Sequence, residues 1–143
     1  MNKIQKIISI LNKTDLGFTR TDLKKLNECK YCAEGVLAKN LVPDDVLEYS
    51  ISLMGICQDK PYYKYELINK YGIDFSNDYN GNKIKCIICD EGKDYINDRD
   101  TMIWSLNELI VHINDTHSTS HKQTAIYLKE FSKSYDLIEG VKK

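Results

Sequence analysis

Residues 102–131 read MIWSLNELIVHINDTHSTSHKQTAIYLKEF, and this stretch decides the fold. Met102, Leu106, Leu109, Ile110 and Ile113 recur at helical spacing, and a second apolar stripe runs through Ala125, Leu128 and Phe131. Ser120-His121-Lys122-Gln123 has the capping-box form, in which the Ser side chain meets the amide three residues on and the Gln reaches back. The spacing predicts two helices, the second starting near Ser120, with a polar junction between them.

The same reading extends toward the N-terminus. Ile4, Ile7, Ile8 and Leu11 form one apolar face, predicting a helix over 2–12, followed by a loop around Gly17. Thr21 is placed to cap a short helix through Leu26. Cys32 to Lys39 reads as another helix, weakened at Gly35 by about 1 kcal/mol relative to Ala. Pro43 suits a first helical turn, with Asp44 and Asp45 at the positive end of a helix running to about Gly55. Pro61 repeats the device, and Tyr62 to Tyr71 stops at Gly72.

Residues 73–100 change character. Asn80-Gly81 is the strongest two-residue hairpin signal, and Ile73-Asp74-Phe75 and Ile84 to Ile88 flank it as prospective strands. The tail Gly140-Val141-Lys142-Lys143 is expected to fray. The expectation is a mainly α fold: one helical domain over 1–143, with a short β-hairpin inserted around 73–100, built as a zinc knuckle.

Composition bounds the function. The chain has 143 residues, 42% hydrophobic and 29% charged, which is a globular balance rather than a disordered one. Twenty Lys and Arg face 21 Asp and Glu, so the strong basic excess of a dedicated nucleic-acid binder is missing. Arg20 and Arg99 are the only arginines, which argues against extensive phosphate recognition. No apolar run is long enough to span a membrane, and the first ten residues lack the continuous apolar segment of a signal peptide. Five cysteines, four of them in close pairs, then read as thiols or metal ligands in a reducing, cytoplasmic setting.

The pairs echo each other: Cys29-Lys30-Tyr31-Cys32-Ala33-Glu34-Gly35 and Cys86-Ile87-Ile88-Cys89-Asp90-Glu91-Gly92 share Cys-x-x-Cys-x-Glu-Gly. Two intervening residues let both thiolates reach one ion, so Cys29, Cys32, Cys86 and Cys89 make a candidate structural zinc site. A competing set joins Cys86 and Cys89 to His112 and His117. Its 22-residue gap exceeds that of a DNA-reading finger, and its two histidines meet only if the chain turns between them. A third reading makes the cysteines small buried apolar groups, which suits Cys32 and, after an apolar helix, Cys57. A thioredoxin-like role lacks the βαβ setting it needs.

His112-Ile113-Asn114-Asp115-Thr116-His117 supplies the remaining polar cluster. Asn114 suits a helix C-terminus, Asp115 can bond turn amides, and His112 can meet the last carbonyls, so a hydrogen-bonded helix corner explains the group without a ligand. The segment also resembles an uncharacterised group of bacterial and phage proteins with a C-terminal His-Leu-Asn-Asp-x-His-x-Trp-Ser signature and a following Ile-Ala-x-Trp-Leu helix. His112, Asn114, Asp115, His117, Ser120, Ala125 and Leu128 match; Ile113 and Tyr127 are conservative replacements, and Thr119 and Thr124 depart from the pattern. Cys32-Ala33-Glu34-Gly35-Val36 resembles the group's upstream Cys-Ala-x-Gly-Ala helix. The resemblance implies a small helical fold and a mobile-element origin, and no activity.

Three functions follow as expectations. The first is a non-enzymatic binding protein with a structural metal, a phage-encoded accessory or anti-defence factor that binds a host protein, its ten tyrosines offering contact surface. The second is nucleotide or nucleic-acid binding through Lys24-Lys25 and the Lys- and Tyr-rich stretch 60–70. The third is a metal-dependent enzyme using His112, Asp115 and His117.

Overall fold

The computed structural model describes residues 1–20, 30–46, 65–75, 77–89 and 102–143. The expected helix at Thr21–Leu26, most of the one after Pro43, Cys29, Cys57 and the Lys24-Lys25 and Tyr62-Tyr63 pairs lie outside these residues. Among the described residues, helices dominate: α1 (Lys3–Lys13), α2 (Ala33–Leu41), α3 (Tyr65–Tyr71), α4 (Leu106–His112) and α5 (His121–Ser134). Strand β1 (Ile84–Lys85) pairs with β2 (Met102–Ile103), and β3 (Tyr135–Asp136) pairs with β4 (Val141–Lys142), both antiparallel. None of these helices is long and apolar enough to cross a membrane.

Local chemistry sets the helix starts. Asn2 and Gln5 form a full capping box at α1, each side chain bonded to the other's backbone amide. Ser105 accepts from the Glu108 amide at α4, and Ser120 accepts from the Gln123 amide at α5. Gln123 reaches back one residue further than in a capping box, to the Thr119 amide at 2.7 Å. Helix α1 packs on α5 and α2, and α2 on α3 and α4. Ile7, Leu11, Leu37, Ile68, Leu109, Ile113, Leu128 and Phe131 fill the shared core.

Three expectations change. The Asn80-Gly81 turn forms, with Asn80 at φ 51°, Gly81 at φ 86° and Asn82 N–H donating to the Tyr79 carbonyl at 2.9 Å. Its flanking segments nevertheless do not pair with each other. Ile73 and Phe75 spend their backbone groups on α3 and on Asn107, at the start of α4, while Ile84 and Lys85 face Ile103 and Met102. Met102 thus belongs to a strand, and α4 begins only after Ser105. The C-terminal tail is also ordered. Gly140 (φ 71°) turns β4 back onto β3, and any Cβ there would land in the Tyr79 ring. Tyr79 Oη donates to the Leu137 carbonyl at 2.7 Å, which ties the hairpin to the core.

Candidate metal centre

Cys86-Ile87-Ile88-Cys89 leaves the end of β1 as a tight knuckle, with the Cys89 N–H directed at Cys86 Sγ at 3.3 Å. The opposite wall comes from the α4–α5 junction. There the chain widens into a π turn over Ile113–His117, closed by Ser118 N–H donating to the Ile113 carbonyl five residues back at 3.0 Å. An α-helix would splay residues five apart; the π turn brings them to one side. His112 Nε2 and His117 Nε2 lie 3.2 Å apart.

All four donor atoms, Cys86 Sγ, Cys89 Sγ, His112 Nε2 and His117 Nε2, fall within 4.8 Å of one another. Cys89 Sγ stands 3.2 Å from His112 Nε2 and 3.1 Å from His117 Nε2, and Cys86 Sγ stands 3.4 Å from His117 Nε2. A tetrahedral zinc with ordinary Zn–S and Zn–N bonds has S–N and N–N edges of about 3.3–3.6 Å, so the cluster needs to relax by only a few tenths of an ångström. The cysteines are buried and the histidines half-buried. Burial pushes the Cys86 thiol up to about 11, opposed by the Ile88 and Cys89 amides. A coordinated cation reverses that balance, because it holds the sulfur as thiolate.

A buried polar frame holds the junction. Asn114, 1% exposed, accepts from Ala33 N–H at 3.0 Å and donates to the Thr19 carbonyl at 3.2 Å and Asp115 Oδ1 at 2.8 Å. It thereby caps α2, whose N-cap Cys32 makes no side-chain capping bond. Asn114 is not the left-handed helix terminus that its residue type suggests, since Asn80 is the non-glycine residue with positive φ among the described residues. Arg20 donates Nε and Nη2 to the Ser118 carbonyl at 3.1 and 2.8 Å, and Thr124 Oγ1 donates to Ser118 Oγ at 2.8 Å. His121 Nε2 donates to the Gly17 carbonyl at 3.1 Å, and burial holds the His121 imidazole below its usual pKa and hence neutral. Glu34, in the first turn of α2, is raised to about 7 by burial and then by the Asp115 charge.

Of the two ligand sets, the described residues bring together Cys86, Cys89, His112 and His117. Cys32 is buried but is not one of the gathered donors, and its partner Cys29 lies outside the described residues. Asn114, Arg20, Ser118 and Glu34 gave no sequence signal of their joint role, because the contacts span up to 98 positions of chain. Fold and site define a small, mainly helical domain carrying a Cys2His2 donor cluster. No protein-family model matches the chain, and no curated protein or solved structure is significantly similar to it.

Proposed function

We propose that this chain is a non-enzymatic binding domain whose fold is stapled by one zinc ion held by Cys86, Cys89, His112 and His117. The convergence of these four donors on one point carries the reading. Paired thiolates and imidazoles suit zinc over magnesium, calcium or manganese, which prefer oxygen. Four protein ligands close a tetrahedral site and leave no position for substrate or an activated water, which is the structural arrangement. Asp115 supports the non-catalytic reading, since its Oδ1 accepts the Asn114 amide. The staple joins the end of β1 to the α4–α5 junction, segments that lie on either side of β2 in the chain. Structural zinc contributes about 10–16 kcal/mol in small domains, comparable to a whole domain's stability. Action on a host protein as a phage-encoded accessory or anti-defence factor is part of the same proposal, motivated by the small size, the donor cluster and the mobile-element origin that the sequence resemblance implies.

The test is metal content of the natively purified protein by mass spectrometry. One zinc per chain is expected, lost in Cys89→Ser and His112→Ala and kept in Cys32→Ser. Zinc that survives Cys89→Ser, or a folded protein without metal, overturns the reading.

A further inference from the structure

The β1–β2 ribbon next to the cysteine knuckle has two unlike faces. Ile84, Cys86 and Ile103 point inward and are buried. Lys83 and Lys85 are exposed on the other face, where Lys85 lies opposite the half-buried Met102 and Trp104 follows, and Ile87 of the knuckle is exposed beyond them. Trp104 is 43% exposed, and Lys83 Nζ lies 5.5 Å from its ring centroid. Glu108 is tied down close by, its Oε2 accepting the Trp104 N–H at 2.7 Å. No carboxylate of the described residues forms an ion pair with Lys83 or Lys85. The face therefore sets Lys83 and Lys85 beside an exposed aromatic ring, with the Glu108 carboxylate at its edge, on a chain whose net charge is -1.

We propose that this outward face binds single-stranded nucleic acid, with Trp104 stacking on a base and Lys83 and Lys85 meeting the flanking phosphates. An exposed indole with lysines on the same face offers what a single strand takes: a ring for a base to stack on and cations for its phosphates. Protein interfaces are depleted in Lys, so a lysine-flanked aromatic fits a polyanion better than a protein patch. Duplex readout is disfavoured, because a two-residue ribbon places no helix for a major groove. The expected affinity is about 1–100 μM at physiological salt, the range of sequence-independent binding. This inference goes beyond the structural-zinc reading and holds whichever ion occupies the cluster.

Trp104 is the sole tryptophan, so its fluorescence reports on this face alone. Titration of the purified protein with twelve-residue oligo(dT) and oligo(U) should give saturable quenching. Two phosphate contacts on a single strand predict a slope of log K against log salt of about -1.4. The Lys83→Ala/Lys85→Ala double variant should flatten that slope. Trp104→Ala, followed by anisotropy of a labelled oligonucleotide, should weaken binding at least about fivefold. Far-UV circular dichroism and metal content, read on the same samples, separate misfolding or a failed zinc reading from loss of the binding face. No saturable quenching, or equal quenching by polyglutamate or polyphosphate, overturns the proposal. The second result would show an anion surface without base stacking.

Discussion

Replacing Asn114 with Ala removes one side chain that serves three elements. In the native fold it accepts from Ala33 N–H at 3.0 Å and donates to the Thr19 carbonyl at 3.2 Å, both in a site where Asn114 itself is 1% exposed. The variant leaves a buried amide at the start of α2 and a buried carbonyl without their partner. An orphaned buried polar group costs about 1–3 kcal/mol, so the two together cost about 2–6 kcal/mol. Against a domain stability of about 5–15 kcal/mol that is a large loss, about 10 °C or more in melting temperature. The assay is urea denaturation of metal-loaded wild type and Asn114→Ala. Ser120→Ala serves as control, where loss of one part-buried cap costs about 1 kcal/mol. Metal content measured in parallel assigns the loss to the polar frame if the ion is retained. A drop below about 1 kcal/mol with an unchanged denaturant slope would refute the argument that Asn114 ties α2 and Thr19 to the junction.

Gly140→Ala should destabilise by about 2–4 kcal/mol in the same assay, since a side chain at φ 71° is strained and its Cβ meets the Tyr79 ring. Tyr79→Phe removes the donor to the Leu137 carbonyl at 2.7 Å and should cost about 1–2 kcal/mol. A silent result at both positions would mean that the C-terminal hairpin is not anchored there. Glu34 gives a pH signature. Its folded carboxyl, raised to about 7 from 4.5, holds a proton that the unfolded chain has released. Wild type should therefore lose stability as pH rises from about 4.5 to 7, on the order of 3 kcal/mol. Glu34→Gln should be flatter across that window, and parallel profiles of the two proteins would contradict the assignment.

Where periodicity and capping chemistry act locally, the fold was legible in the sequence. The Ile4–Leu11 stripe and the Ser120 cap gave α1 and α5 within a residue or two. Strand partners were not legible, because Ile84 is matched to Ile103 by long-range pairing while the nearer Ile73–Phe75 segment serves α3 and α4. The tail misled for a related reason: a glycine and two lysines read as a fraying end until Gly140 lies flat against Tyr79. At the site, the types of ligand were readable but their grouping was not. Two cysteine pairs with matching spacing favoured a four-sulfur site on sequence grounds. The π turn over Ile113–His117, which no spacing rule announces, instead delivers two imidazoles to the second pair.

X-ray absorption at the zinc edge of the natively purified protein tests the central claim most directly. The account predicts two sulfurs at about 2.3 Å and two nitrogens at about 2.0–2.1 Å, the shell of Cys86, Cys89, His112 and His117. A four-sulfur shell would restore the Cys29, Cys32, Cys86 and Cys89 set, and a shell of oxygens or no metal would contradict the staple altogether.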